Sequence, residues 1–157
     1  YGGRQLATVG AVELRPNLVN VIAQRAVMTV DLRNTDGAAL ARAEAEVLGF
    51  ATRCAAEHGV VLGHRRLARF DPVAFDPALV ELVAQEAQVL GLGTLRLPSG
   101  AGHDAQMLAR VCPSAMIFVP SVDGLSHNPG EHTEAHHLVQ GAQVLLQVLT
   151  RLANRAG

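Results

Sequence analysis

Tryptophan is absent from the 157 residues, and Tyr and Phe bring the aromatic content only to 3%. A core must therefore be built mainly from Leu, Val and Ala. Cysteine is almost as scarce. Cys54 and Cys112 lie far apart, in no spacing that suits a metal, and read as two buried free thiols in a reducing cytoplasm. No apolar run approaches the ~20 residues that a membrane helix needs. Neither sign of charge dominates: 13 basic residues face 14 acidic ones, for a formal charge of -1. That balance argues against nucleic acid or an anionic membrane as partner. The opening Tyr1-Gly2-Gly3-Arg4-Gln5 offers no initiator Met and no signal-peptide core. It leads almost at once into a strand-like run, so the chain reads as cut from inside a longer protein.

What is present is globular: 49% hydrophobic and 17% charged residues, enough to bury a core. Leu6 to Leu14 is rich in Val, Leu and Thr, with Gly10 placed for a bulge, and Arg15-Pro16-Asn17 marks a turn. Residues 18–23 and 26–32 read as two further strands. In the second, Ala26, Met28, Val30 and Leu32 alternate against Val27, Thr29 and Asp31, the pattern of a half-buried strand. Asp36 is placed to cap a helix whose stripe is Leu40, Ala43, Val47, Phe50 and Cys54, with Gly59 as its stop. Residues 60–70 read as a strand with Arg65-Arg66 on a solvated face. Asp76-Pro77 opens a second helix with the stripe Leu79, Val80, Val83, Ala87 and Leu90. A Gly-rich turn, Pro98 to Gly102, precedes a short helix from Asp104 to about Val111. Ala115 to Val119 reads as a short buried strand, and a final helix runs from Glu134 to about Leu152 with Leu138, Gly141, Ala142, Leu145, Val148 and Leu152 on one face. Asp71-Pro72 and Asp76-Pro77 bracket a boundary between β-β-β-α-β and a second part short of strands.

Four of the seven histidines fall between 127 and 137, which raises metal binding. His132 and His136 could share a helix face if the last helix began early, but no His-Glu-x-x-His frame surrounds them. His127 closely follows an apolar strand and directly follows a Gly-Leu-Ser turn, where α/β sheets place ligands. Pro129 stiffens that loop, and Glu131 is close enough to support the ring. The competing reading is a loop histidine bonded to backbone. His103 lies in the Gly-rich turn beside Asp104 and could donate a hydrogen bond to a substrate; equally, Asp104 simply caps a helix. Arg33 ends a strand with a fork suited to a carboxylate, and Asn20 sits in a β-like run where it needs a partner. Both also fit ordinary surface roles.

Taken in order, the motifs resemble one family. They are Thr8-Val9-Gly10, Pro16-Asn17-Leu18-Val19-Asn20-Val21-Ile22, Asp31-Leu32-Arg33, Pro98-Ser99-Gly100-Ala101-Gly102-His103-Asp104-Ala105, Phe118-Val119-Pro120-Ser121, and Gly124-Leu125-Ser126-His127-Asn128-Pro129-Gly130-Glu131. This series is similar to the M20-type amidohydrolases that cleave N-carbamoyl groups: N-carbamoyl-L-amino-acid hydrolase, allantoate amidohydrolase and β-ureidopropionase. One departure is Ala23-Gln24, where the family usually has Pro-Gly after Asn-Val-Ile.

The resemblance implies an α/β protein in two parts. Residues 1–70 would be the later part of an α+β lid that dimerises, and residues 71–157 the C-terminal segment of a zinc-peptidase-like α/β catalytic domain. It implies two metal ions per complete subunit, zinc with manganese or cobalt as alternatives. His127 would be one metal ligand, with Glu131 behind it, while Asn20, Arg33 and His103 would hold a small substrate carrying a ureido group and a carboxylate. No catalytic base is expected in this segment; the base and the other ligands are expected upstream of Tyr1, leaving the chain inactive by itself. A cytoplasmic homodimer is the implied setting. An M20-type aminoacylase or carboxypeptidase, or a non-catalytic dimerising fragment, are the alternative readings.

Overall fold

A computed structural model describes residues 5–154 and divides the chain at Pro72/Val73 into two compact units. The opening residues Tyr1 to Arg4, on which the reading of the N-terminus rests, lie outside the described residues. Helices and strands are mixed, as an α/β reading requires.

In the first unit β1 (Leu6–Arg15) and β2 (Arg25–Arg33) form an antiparallel two-stranded sheet. The register slips between Val9 and Ala11, so Gly10 is the bulge that its lack of a side chain suits. The expected strand at 18–23 does not form. Those residues lie in the connection between β1 and β2, closed where the Gln24 N–H donates to the Arg15 carbonyl at 2.9 Å. Val19 and Ile22 are almost fully exposed. An apolar run becomes a strand only if another strand accepts its hydrogen bonds, and among the described residues β1 and β2 pair with each other alone. The expected half-buried β2 is instead exposed along nearly its whole length.

The helix α1 (Gly37–Glu57) starts where Asp36 Oδ1 accepts the N–H groups of Ala38 and Ala39, at 2.8 and 3.1 Å. It ends in a Schellman motif: Gly59 adopts φ 64°, and the Val60 N–H reaches the Ala55 carbonyl at 2.9 Å. Its buried residues are the small ones, Ala39, Ala43 and Ala55, whereas Phe50 from the expected stripe is 62% exposed. The segment 60–70 runs without a ladder. Arg66 and Arg69 both pair with Glu44 of α1, and Arg69 also bonds Asp71 at 3.0 Å. Arg66, expected on an open strand face, thus clips this segment to a helix.

The second unit is built on α2 (Pro77–Val89) and α4 (Ala135–Ala153), with the short α3 (Asp104–Leu108) between them in sequence. Asp76 caps α2 through the Leu79 N–H at 2.8 Å, and Gly91 ends it at φ 71°, with Leu92 N–H on the Ala87 carbonyl. Leu82, Ala87, Val144 and Val148 form the core, joined by Leu79, Val83, Leu90, Leu92, Ile117 and Leu152. The inner face of α4 is therefore rotated from the expected stripe: Val144 is buried, while Leu138 and Leu145 are 54% and 48% exposed. Ala115 to Val119 carries Ile117 into the core but pairs with no strand. Buried Glu86 of α2 is held by Arg151 of α4, which satisfies a carboxylate that burial would otherwise penalise. Cys54 is partly buried and Cys112 exposed, so the expectation of two buried thiols fails for Cys112. No helix among the described residues is long and apolar enough to cross a membrane.

Candidate functional site

The loop between the Ala115–Val119 segment and α4 is tied into a closed ring. Its base is the Val122 N–H donating to the His132 carbonyl at 2.8 Å. A single 3-10 turn, Val122–Gly124, follows Ser121. Asn128 then turns the chain twice: its side-chain oxygen accepts the Gly130 N–H, and its carbonyl accepts the Glu131 N–H, each at 2.9 Å. This returns Glu131 toward its own loop, where Oε2 accepts the main-chain N–H of His127 at 2.8 Å. Glu131 is thus a partner of His127 through the backbone, where the sequence suggested support of the ring.

His127 itself sits at φ 55° and Asp123 at φ 56°, and these are the two non-glycine residues with positive φ among those described. Side chains with a Cβ meet the carbonyl oxygen in this region, at a cost of about 1–2 kcal/mol. Both unfavourable residues lie in one loop of eleven residues, from Val122 to His132. Such strain persists only where surrounding bonds hold it, and here Glu131 supplies one. The His127 side chain is exposed, and among the described residues its ring makes no hydrogen bond. Its lone pair is therefore available to an external electrophile.

His132 lies outside α4, and His136 and His137 lie in its first turn with ring centroids 3.9 Å apart. His132 and His136 do not share a helix face. Among the described residues no three His, Cys, Asp or Glu side chains gather as a metal cluster.

His103, in the same unit, is the N-cap of α3. Its Nδ1 accepts the Ala105 N–H at 3.0 Å, so it takes the capping role that one reading gave to Asp104. An acceptor Nδ1 places the proton of the neutral ring on Nε2. Nε2 is then a donor, which is the polarity needed to bind a carbonyl oxygen.

In the first unit Arg33 closes β2. Its Nε and Nη2 grip Asp31, the shortest contact being 2.7 Å. Residues two apart on a strand share a face, so Asp31-Leu32-Arg33 contains this pairing in its spacing; Asp31 is the site residue that sequence reasoning passed over. The hydrogen bond from Arg33 is the main reason the Asp31 carboxyl titrates below its ordinary value, and the same bond raises the guanidinium. Around them, the Gln5 amide donates to the Arg33 carbonyl at 3.1 Å and accepts from Asn34 at 3.1 Å, and Asn34 in turn takes the Asp36 N–H at 2.9 Å. The end of β2 is thus fastened to the cap of α1. Asn20 lies apart from this network, exposed in the turn at the other end of the hairpin.

Comparison with known proteins gives these residues a context. The family model described as Peptidase family M20/M25/M40 matches residues 10–151. An N-carbamoyl-L-amino-acid amidohydrolase of Rhizobium meliloti is 40% identical over 145 residues, which cover 92% of this chain and 35% of that protein. An allantoate amidohydrolase of Escherichia coli (strain K12) is 34% identical over 97% of this chain and 37% of that protein. Among solved structures, an amidase of the hydantoinase/carbamoylase family from Burkholderia vietnamiensis superposes with TM-score 0.90 at 39% identity, over 94% of this chain and 36% of that one. The chain spans about a third of the length of the curated relatives it matches.

Proposed function

Since the chain belongs to peptidase family M20/M25/M40, we propose that it is the C-terminal part of an amidohydrolase that cleaves the carbamoyl C–N bond of an N-carbamoyl-L-amino acid or a related ureido acid such as allantoate. The observation that carries this reading is the joint one at His127: an exposed imidazole held at φ 55° by Glu131, in a chain 40% identical to an N-carbamoyl-L-amino-acid amidohydrolase. Residues 1–70 belong to a lid that dimerises, and residues 71–157 to the catalytic domain. The outer face of α4 supports that division. Val139, Leu146 and Leu149 are more than half exposed although the inner face already meets α2, and a helix whose apolar arc is wider than its one partner covers is built to be covered on a further side.

M20 amidohydrolases are generally metal-dependent, and the donor chemistry here fits a share in such a site. His127 offers one nitrogen with no competing hydrogen bond, a ligand suited to zinc and also to manganese or cobalt. The remaining ligands and the general base come from the part of the relatives' length that this chain does not span. Bound zinc would supply Lewis-acid activation of water at neutral pH. This chain's own residues bind and orient. Arg33, its fork steadied by Asp31, holds the substrate carboxylate; Asn20, in the turn at the other end of the hairpin, does not share that grip; His103 donates from Nε2 to the ureido oxygen. The full enzyme acts as a homodimer in the cytoplasm.

The test is His127→Ala in the full-length protein. Elemental analysis should find about one metal fewer per subunit, and hydrolysis of N-carbamoyl amino acids should fall at least 100-fold. Unchanged metal stoichiometry would remove His127 from the ligand set.

A further inference from the structure

We infer that Gly141, in the second turn of α4, is a positioning residue that sets where the His127 loop stands. The inference rests on the reading of His127 as a metal ligand. A Cβ built on Gly141 would lie 2.5 Å from Val119 Cγ1. Ordinary carbon–carbon contact is about 3.5–4.0 Å, so any side chain at this position forces something to move by ~1 Å or more. The obstructing methyl is not the end of a flexible chain. Valine has one torsion, stiffly set by its branch at Cβ, and the neighbouring Ile117 is packed into the core of the unit.

The place of this contact gives it consequence. Val119 is the residue immediately before Pro120-Ser121, where the chain enters the His127 loop. The loop leaves through His132 and Thr133 and becomes α4 itself, two residues later. The two stems of the loop are thus the Val119 segment and α4, and Gly141 is a point at which those two stems come close. Their separation is fixed by the absence of a side chain, and the Val122–His132 hydrogen bond of 2.8 Å requires that separation to be kept. Helix propensity argues in the opposite direction: mid-helix glycine is about 0.5–1 kcal/mol worse than alanine. If Gly141 were only a helix residue, alanine would improve the protein.

Three variants of the full-length protein decide the matter: Gly141→Ala, the double variant Gly141→Ala with Val119→Ala, and His127→Ala. Each is titrated with zinc against a chromophoric chelator, and the Tm of the metal-free form is read alongside. Gly141→Ala should bind the metal that His127 ligates roughly tenfold more weakly or worse, as misplacing a ligand by about 1 Å does. Removing the Val119 methyls should restore the affinity to within about threefold of wild type. Wild-type zinc affinity in Gly141→Ala, with a raised Tm, would overturn the inference and leave helix propensity as the residue's only effect. Weak binding that the double variant does not rescue would overturn it too, because the Val119 contact would not be the cause. Should Gly141→Ala fail to fold, the double variant decides alone: recovered folding with wild-type zinc affinity supports the steric account, and anything less refutes it. His127→Ala separates the two layers. Full metal content in that variant sinks the ligand assignment, while lost metal there with intact binding in Gly141→Ala sinks only the role of Gly141.

Discussion

Replacing Glu131 by alanine isolates what the loop does for His127. The carboxylate accepts the His127 main-chain N–H at 2.8 Å, and His127 occupies the left-handed region at φ 55°. A hydrogen bond to a charged acceptor contributes about 1.5–3 kcal/mol when well shielded; Glu131 is exposed, so the lower end applies, about 1.5 kcal/mol after screening. The left-handed conformation costs His127 about 1–2 kcal/mol. The two effects are nearly equal, so without the carboxylate the loop no longer favours the conformation that aims the ring. A loss of ~1.4 kcal/mol lowers the population of that conformation about tenfold. In the full-length protein Glu131→Ala should therefore weaken binding of one zinc per subunit roughly tenfold, measured by chelator competition at fixed pH and salt. Glu131→Gln keeps an acceptor oxygen and should lose only about threefold. Equal affinity in wild type and Glu131→Ala would refute the reasoning, and so would equal losses in the two variants, since an effect of charge alone does not distinguish amide from methyl through geometry.

His103 offers a separation of structural from functional loss. His103→Asn retains a capping oxygen and should leave Tm nearly unchanged while lowering kcat/KM about 100-fold; His103→Ala should lose the cap as well, for about 1 kcal/mol of stability, and equal kcat/KM in His103→Asn and wild type would rule out substrate contact. Asp31→Asn should raise KM several-fold with little change in kcat, because the fork of Arg33 exchanges a charged two-oxygen acceptor for a neutral amide with one acceptor oxygen; unchanged steady-state constants would count against Arg33 as the carboxylate grip. The pair also carries a pH signature. The Asp31 carboxyl is depressed in the folded chain from an ordinary 3.8, so its contribution is complete above that value and is lost as pH falls through the lower folded value. Stability curves of wild type and Asp31→Asn should run parallel above about pH 5 and converge in stronger acid; parallel curves down to the acid transition would contradict the bond.

The boundaries of α1 and α2 were legible because capping is local chemistry. Asp36, Asp76-Pro77, Gly59 and Gly91 lie within a few residues of the groups they satisfy. The Gly10 bulge and the two long strands of the hairpin were legible for a related reason, since alternation and a missing side chain act between neighbours. The M20 resemblance was likewise carried by short ordered motifs. Three β-like segments, at 18–23, 60–70 and 115–119, read as strands and are not. A strand is defined by a partner elsewhere in the chain, and nothing inside a run says whether that partner exists.

The same limit governs the site. Sequence placed His127 and Glu131 four residues apart in a stiff loop, yet whether the carboxylate meets the ring or the main chain depends on φ at His127, which only the folded loop sets. It placed Arg33 on a strand end, but the grip of Asp31 shows only when the side chains are built. Which face of α4 turns inward was undecided by a helix with apolar residues on most sides; Val144 and Val148 face the core because α2 packs there. Gly141 appears in the sequence as one more helix position. Its significance is a distance of 2.5 Å to a methyl twenty-two residues away, and contacts between distant residues are what tertiary structure alone decides.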